Sequence, residues 1–254
     1  MTTYFDVIIF TILGSVISLI GGLLLISHKK TAQLLAAYAT PFAAGGLLAA
    51  VFLDLLPEGI AESSAEHVLM AALAGLLIFF FLERFLRWFH HHHDEAHDDR
   101  GATSRPLIIA GNTLHNALDG VAIAAAFLVS VPIGIVTTIA VAAHEIPREI
   151  GDFGLLLARG MSRRGTILVH IASSFATTFV ALLTFWLGGS NNLPIGFLLG
   201  LSAGFMLYIA TSDIIPAIHH DVADDQIFDV RPILLLLGVI VVGIGIAAAR
   251  HFGA

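Results

Sequence analysis

The chain contains no cysteine. Disulfides and thiolate-bound metal are therefore excluded. Any metal site must draw on imidazole, carboxylate, amide or water, a donor mix suited to Zn, Fe, Mn and similar divalent ions. Charge is scarce as well: Asp, Glu, Lys and Arg make up 12% of the 254 residues, where a soluble domain carries about 25%. With 57% hydrophobic residues and a mean hydropathy of +0.91, the composition is that of an integral membrane protein. Basic residues are the rarer sign, 12 against 19 acidic. They form no patch, so nucleic acid is not an expected partner and the lipid bilayer is. The opening MTTYFD lacks a basic stretch, and no small-residue cleavage site follows the first apolar run. Residues 5–26 therefore read as a retained span and not a signal peptide.

Apolar runs lie at 5–26, 34–56, 68–89, 107–129, 133–157, 167–187, 194–215 and 232–249. At about 20 residues per crossing, they predict an all-α integral membrane fold of eight transmembrane helices, with 1–254 as a single transmembrane domain. Spans 1 and 8 are almost purely apolar and read as lipid-facing. Basic residues set the orientation. Lys29 and Lys30, Arg84, Arg87, Arg100 and Arg105, Arg159, Arg163 and Arg164, and Arg231 all fall at odd-numbered connections, and the even-numbered ones have none. By the positive-inside rule both termini face outside and the 89–106 loop is cytoplasmic. The expected location is the cell membrane, inner or plasma, as a multi-pass protein.

Span 2 carries Ala44-Gly45-Gly46-Leu47-Leu48 and, five residues on, Asp54-Leu55-Leu56-Pro57. Span 7 carries Ala203-Gly204-Phe205-Met206-Leu207 and Asp213-Ile214-Ile215-Pro216, at a constant offset of 159. Span 2 runs outward and span 7 inward, so the match reads as an inverted repeat, with chance likeness of two apolar helices as the alternative. Inverted repeats place a site near the bilayer midplane, at the repeat interface.

The concentrated chemistry lies in spans 4 and 5, in HNALDG at 115–120 and HEIPREIGD at 144–152. An ionisable group at the centre of a bilayer costs roughly 2.5–3.5 kcal/mol on insertion scales, and such groups mark functional sites by default. Asn112, His115, Asn116 and Asp119 share one helical face, as do His144, Glu145, Arg148, Glu149 and Asp152. Both stripes lie a similar distance from the tight Val131-Pro132 connection, so antiparallel neighbours bring them to one depth. Two readings follow, a polar seam joining two helices or a cation site, and the density of His, Asn and carboxylate favours the cation. HEIPR also approaches the HExxH zinc-hydrolase motif, but Arg148 stands where the second His belongs. An intramembrane metal-dependent hydrolase and a metal-sensing membrane protein without transport are the rival classes.

With these motifs in view, the chain resembles the ZIP (Zrt/Irt-like) family of divalent metal transporters, in its prokaryotic form. The likeness covers the eight spans, the His-rich 3–4 loop, HNxxDG, HExPxExGD and the AGxLL…DxxP pattern of span 2. It implies a bundle in which helices 1–3 and 6–8 are inverted repeats flanking helices 4–5. It also implies metal import by alternating access and, for some members, a homodimer. No prosthetic group or enzyme activity is implied; Zn2+, or Fe2+, Mn2+ or Cd2+, is the transported ligand. The resemblance assigns one metal to Asn116, His144, Glu145 and Asp213, and a second to His115, Asp119 and the residue at 148. Arg148 has no lone pair to offer a cation. It is expected to replace the second metal's charge and to hydrogen-bond Asp119 or Asp152, leaving one transport site. Asp54, where many members have His, forms an entry or exit path with Glu58 in this reading. Asn112, Glu149 and Asp152 are expected beside the ligands.

Weaker signals remain. His90, His91, His92, His93 and His97 lie beside four acidic residues in the 89–106 loop. Such a tract reads either as a solvated linker or as a metal-collecting loop, and disorder is expected. His219 and His220 precede three aspartates at the end of span 7. His170, with Ser173 and Ser174, suggests hydrogen bonding between helices.

Overall fold

A computed structural model describes residues 2–91, 105–189, 194–216 and 229–253. Every element among them is helical. Helix α1 (Tyr4–Ser27) starts from a capping box, in which Thr3 and Asp6 satisfy each other's backbone N–H. Helix α2 (Lys29–Ala50) passes through a π turn (Val51–Leu55) into α3 (Leu56–Glu62). Then come α4 (Ala65–His91), α5 (Arg105–Val129), α6 (Val131–Ala158) and α7 (Arg163–Gly189). Helix α8 (Ile195–Tyr208) runs into a second π turn (Ile209–Ile214), and α9 (Arg231–Gly253) completes the described chain.

Six of these stretches are long and apolar enough to cross a membrane: Tyr4–Ser27, Ala37–Glu62, Ala65–Phe85, Arg163–Gly189, Ile195–Ser212 and Arg231–His251. Their outer faces agree with that. Ile12 and Val16 on α1, Phe175 and Phe179 on α7, and Ile240 and Ile244 on α9 are all exposed. An apolar surface of this extent belongs against lipid. Helices α5 and α6, at 25 and 28 residues, have the length but carry the two polar stripes.

The π turns have a local cause. Pro57 and Pro216 lack an N–H, and in an α-helix each ring would crowd the carbonyl four residues back. Widening the preceding turn relieves this: Leu56 donates to the carbonyl of Val51, and Ile215 to that of Ala210. Such π insertions concentrate at functional sites. Here each one holds an aspartate of the repeated DxxP pattern, Asp54 and Asp213.

Packing follows from small residues. Helix α2 lies against α9, α4 against α8, α1 against α6 and α5 against α7. At the α2–α9 crossing a Cβ on Gly45 would sit 1.9 Å from the Leu235 carbonyl oxygen. At the α4–α8 crossing one on Gly204 would sit 2.0 Å from that of Ala72. Backbones this close are how helices associate where lipid offers no hydrophobic drive. Helix α1 was expected to be simply lipid-facing. Instead its buried side chains Val7, Thr11, Gly14, Ser18 and Gly21 alternate by four and three, a seam that packs on α6 and α7. The central core gathers Leu47, Val51, Ile123, Phe127, Leu199 and Met206.

Helices α5 and α6 are antiparallel neighbours because their link is a single residue. Ser130 caps α6 by accepting from the Ile133 N–H, and Pro132 stands where its missing N–H costs nothing. Helix α6 stops at Gly160, whose φ of 76° suits glycine. There Met161 donates to the Leu156 carbonyl and Gly160 to that of Leu157, a Schellman closure.

Candidate metal centre

Antiparallel α5 and α6 bring His115 and Asp119 opposite His144 and Glu145. All four are at most 5% exposed. His115 Nε2 lies 3.2 Å from His144 Nε2, 3.5 Å from Glu145 Oε1 and 3.9 Å from Asp119 Oδ2. His144 Nε2 lies 3.7 Å from both Asp119 Oδ2 and Glu145 Oε1. One ligand atom from each residue fits within 4.8 Å of all the others. A tetrahedral ion with bonds of about 2.0–2.2 Å requires ligand–ligand edges of about 3.3–3.6 Å. The five edges given above are therefore within a few tenths of an ångström of those of a zinc-sized coordination sphere.

The ring orientations suit that use. His144 Nδ1 lies 3.3 Å from the Ala140 carbonyl oxygen, which can only accept, so Nδ1 carries the proton and the Nε2 lone pair faces the cage. Phe79 packs edge-on against His115, with centroids 5.9 Å apart. Asp119 Oδ2 is buried and accepts no hydrogen bond among the described residues. A buried, unpaired carboxylate oxygen costs free energy unless a donor or cation meets it. The donor set, two imidazoles and two carboxylates, is borderline to hard and suits Zn, Fe or Mn.

Arg148 faces Glu145 from the other side. Its Nε donates to Oε1 and its Nη2 to Oε2, both at 2.5 Å. Its Nη1 donates to Asn112 Oδ1 at 2.7 Å and to Asp152 Oδ2 at 3.3 Å. The sequence suggested Asp119 or Asp152 as its partner; the main one is Glu145, one turn back. Glu145 is thus shared between the cage and a guanidinium.

The division of ligands implied by the resemblance differs from the grouping the side chains adopt. Asn116 turns away from the cage: its Nδ2 donates to the Asn112 carbonyl and Oδ1, each at 2.9 Å, and its Oδ1 accepts from Thr177. Asn116 and Asp119 nevertheless share a crevice with Glu145, Thr177 and, from α1, Thr11 and Ser15. Its free volume of about 10 Å3 is room for roughly one water. Asp213 lies in the second π turn, and its side chain falls outside the described residues. The side chains of His90 and His91, and all of His92, His93, His97, His219 and His220, also fall outside them. Asp54 is 1% exposed; its Oδ2 accepts from Thr137 at 3.5 Å, and Arg250 Nη2 lies 3.9 Å from Oδ1. Arg250 reaches Glu58 more closely, at 2.9 Å. Glu149 meets His170 of α7, both fully buried, and that pair stands apart from the cage.

Sequence reasoning passed over Thr177, Arg250 and the polar seam of α1. The first two lie far along the chain from their partners. The four–three alternation of Thr11, Gly14, Ser18 and Gly21 is the signal that could have found the third.

Comparison with known proteins bears on this geometry. The family model described as ZIP zinc transporter matches residues 6–107 and 90–249. Zinc transporter ZIP13 of Pongo abelii is 31% identical over 216 residues, covering 79% of this chain and 63% of that protein. Human zinc transporter ZIP4 is 37% identical over 134 residues, 52% of this chain and 19% of the other. Zinc transporter ZIP10 of Danio rerio is 32% identical over 134 residues, 52% and 16% of the two chains. The chain thus spans less than two thirds of these relatives. The matching family is described as one of zinc transporters, and the expectation of no enzyme activity is consistent with it. A model matching nearly the whole sequence, over apolar helices enclosing a His–carboxylate cage, makes this chain a member of the ZIP zinc transporter family.

Proposed function

We propose that this chain is a multi-pass carrier of the cell membrane, inner or plasma, that moves a divalent transition metal, zinc foremost, into the cytoplasm. The observation that carries the reading is the buried cage of His115, Asp119, His144 and Glu145. It offers a desolvated dication two neutral nitrogens and two anionic oxygens, so the ion's charge is neutralised inside the bilayer. Each relative named above is called a zinc transporter, which supports zinc as cargo.

In this reading α5 and α6 also cross the membrane, giving eight spans with both termini outside. The packing supports an inverted repeat. Exchanging α1 with α7, α2 with α8, α4 with α9 and α5 with α6 turns the α2–α9 contact into α8–α4, and α1–α6 into α7–α5. The twin π turns, their aspartates 159 residues apart, obey the same exchange. All cage ligands come from α5 and α6, so the ion stays with one helix pair while the flanking repeats expose it to each side in turn.

One metal occupies the site. Arg148 supplies the second positive charge and releases Glu145 to the incoming ion. Asn116, Asp213 and the Asp54–Glu58 pair serve approach and departure. Zinc uptake into proteoliposomes tests the reading: wild type should load a vesicle-trapped zinc dye, and Glu145→Ala should match protein-free vesicles. Zinc that binds to wild type but never enters the lumen would leave a sensor and not a carrier.

A further inference from the structure

The face of α6 that carries the cage continues past it, toward Asp54 and the last turn of α9. Thr137, Val141 and His144 stand four and three residues apart on that face, so Thr137 lies about 10 Å along the axis from His144. Thr137 meets Asp54, which the π turn after α2 holds at 1% exposure. The other oxygen of Asp54, Oδ1, accepts no hydrogen bond among the described residues. Glu58 follows four residues on, and Arg250 reaches over both. Side-chain exposure climbs from 1% at Asp54 to 21% at Glu58 and 42% at Arg250. The three side chains thus step from solvent to the buried Thr137, and α6 leads on from there to His144.

Arg250 meets the two carboxylates unequally. Its Nε donates to Glu58 Oε1 at 3.0 Å, and its Nη2 lies 2.9 Å from the same oxygen. From Asp54 Oδ1 that Nη2 stays 3.9 Å away, outside hydrogen-bond reach. Glu58 and Arg250 are the charged groups that act on Asp54. One guanidinium against two carboxylates leaves a negative charge. The buried oxygen is left without a donor, which costs free energy until a donor or cation reaches it. A cation in the last turn of α9 also complements the helix dipole, but that role needs neither carboxylate.

We propose that Asp54 and Glu58 form a second divalent-cation site, at the mouth of the path to the cage, and that Arg250 is its built-in competitor. The proposal rests on the metal-carrier reading above. Without metal the guanidinium holds Glu58. An arriving dication takes Glu58 Oε1 and the unmet Asp54 Oδ1, and the exposed Arg250 side chain swings into water. Carboxylate oxygens without an imidazole hold a borderline ion such as zinc weakly, and competition from the guanidinium weakens the hold further. The ion is passed on and not retained, so the purified chain keeps the single zinc of the cage. Arg250 stands at the C-terminal end of α9, so in the orientation proposed above this mouth faces outside.

Zinc uptake by proteoliposomes of the full-length chain, measured over a range of zinc concentrations, tests the proposal. Arg250→Gln removes the competing charge. It should lower the half-saturating concentration by about twofold to fivefold, the equivalent of an exposed ion pair, with the maximal rate unchanged. Arg250→Lys keeps the charge and should stay near wild type. Added guanidinium chloride should raise the half-saturating concentration of Arg250→Gln back toward that of wild type, beyond the effect of equal potassium chloride. A half-saturating concentration equal to that of wild type in Arg250→Gln overturns the proposal, as does Arg250→Lys behaving like Arg250→Gln. Should Arg250→Gln fail to fold, Glu58→Gln decides: losing a ligand must raise the half-saturating concentration by about the same factor, and no change refutes the site. Wild-type uptake that none of these substitutions shifts sinks the mouth site and leaves the carrier standing. A wild type that loads no zinc sinks the carrier, and this proposal with it.

Discussion

Gly45→Ala probes the closest backbone approach in the fold. The added Cβ would lie 1.9 Å from the Leu235 carbonyl oxygen, 2.9 Å from its carbon and 3.0 Å from the Val239 nitrogen. All three are backbone atoms, so no side chain can rotate aside. Ordinary contact begins near 3.4 Å, so α2 and α9 must part by about 1.5 Å, opening gaps along the crossing. Overpacking of this kind costs about 1–3 kcal/mol, against a gain of about 0.5–1 kcal/mol from replacing glycine within a helix. A net loss of about 1–2 kcal/mol lowers the melting temperature by about 2–8 °C in a chain of this size. The assay is thermal unfolding of the purified protein in detergent, followed by size exclusion. Gly111→Ala is the control, since nothing lies within 4 Å of its Cβ position. It should melt at or slightly above wild type. If Gly45→Ala melts no lower than Gly111→Ala, the α2–α9 crossing is not as close as described.

Other outcomes follow from the site. Arg148→His replaces a cation that repels metal with an imidazole that binds it, so zinc per protein should rise from one toward two by elemental analysis; an unchanged ratio removes Arg148 as the second charge. Thr177→Val takes the donor from Asn116 Oδ1 and should lower stability by about 0.5–1.5 kcal/mol, with zinc affinity nearly unchanged; a large loss of affinity would make Asn116 a ligand. Zinc affinity should be lost on acidification, because ligating imidazoles must be neutral and ligating carboxylates ionised. A dissociation constant that stays constant down to the pH at which the protein unfolds would exclude His115 and His144 from the cage. Arg250→Ala should change stability by less than about 1 kcal/mol, since its side chain is 42% exposed and such pairs contribute little.

The helical, membrane-spanning character and the convergence of spans 4 and 5 were legible because each rests on local spacing. His115 with Asp119, and His144 with Glu145, share helical faces by number alone, and the one-residue link at Ser130 sets their common depth. The partners of those faces were not legible. Asn112 lies 58 residues from His170 and Asn116 lies 61 from Thr177, and only packing of α7 on α5 joins them. Arg148 had acidic neighbours one turn away on either side, and spacing could not rank them. The fork geometry of the guanidinium chose Glu145, where both carboxylate oxygens are engaged at once. The DxxP repeat was visible, but the π turns that it encodes depend on how a proline's missing N–H is accommodated, which periodicity does not register.

The most direct test of the cage is X-ray absorption at the zinc edge on the loaded, purified protein. One zinc per chain is expected, with two imidazole nitrogens and two carboxylate oxygens at about 2.0–2.2 Å, and loss of one imidazole in His144→Ala. An all-oxygen shell, or a spectrum unaltered by His144→Ala, would contradict it.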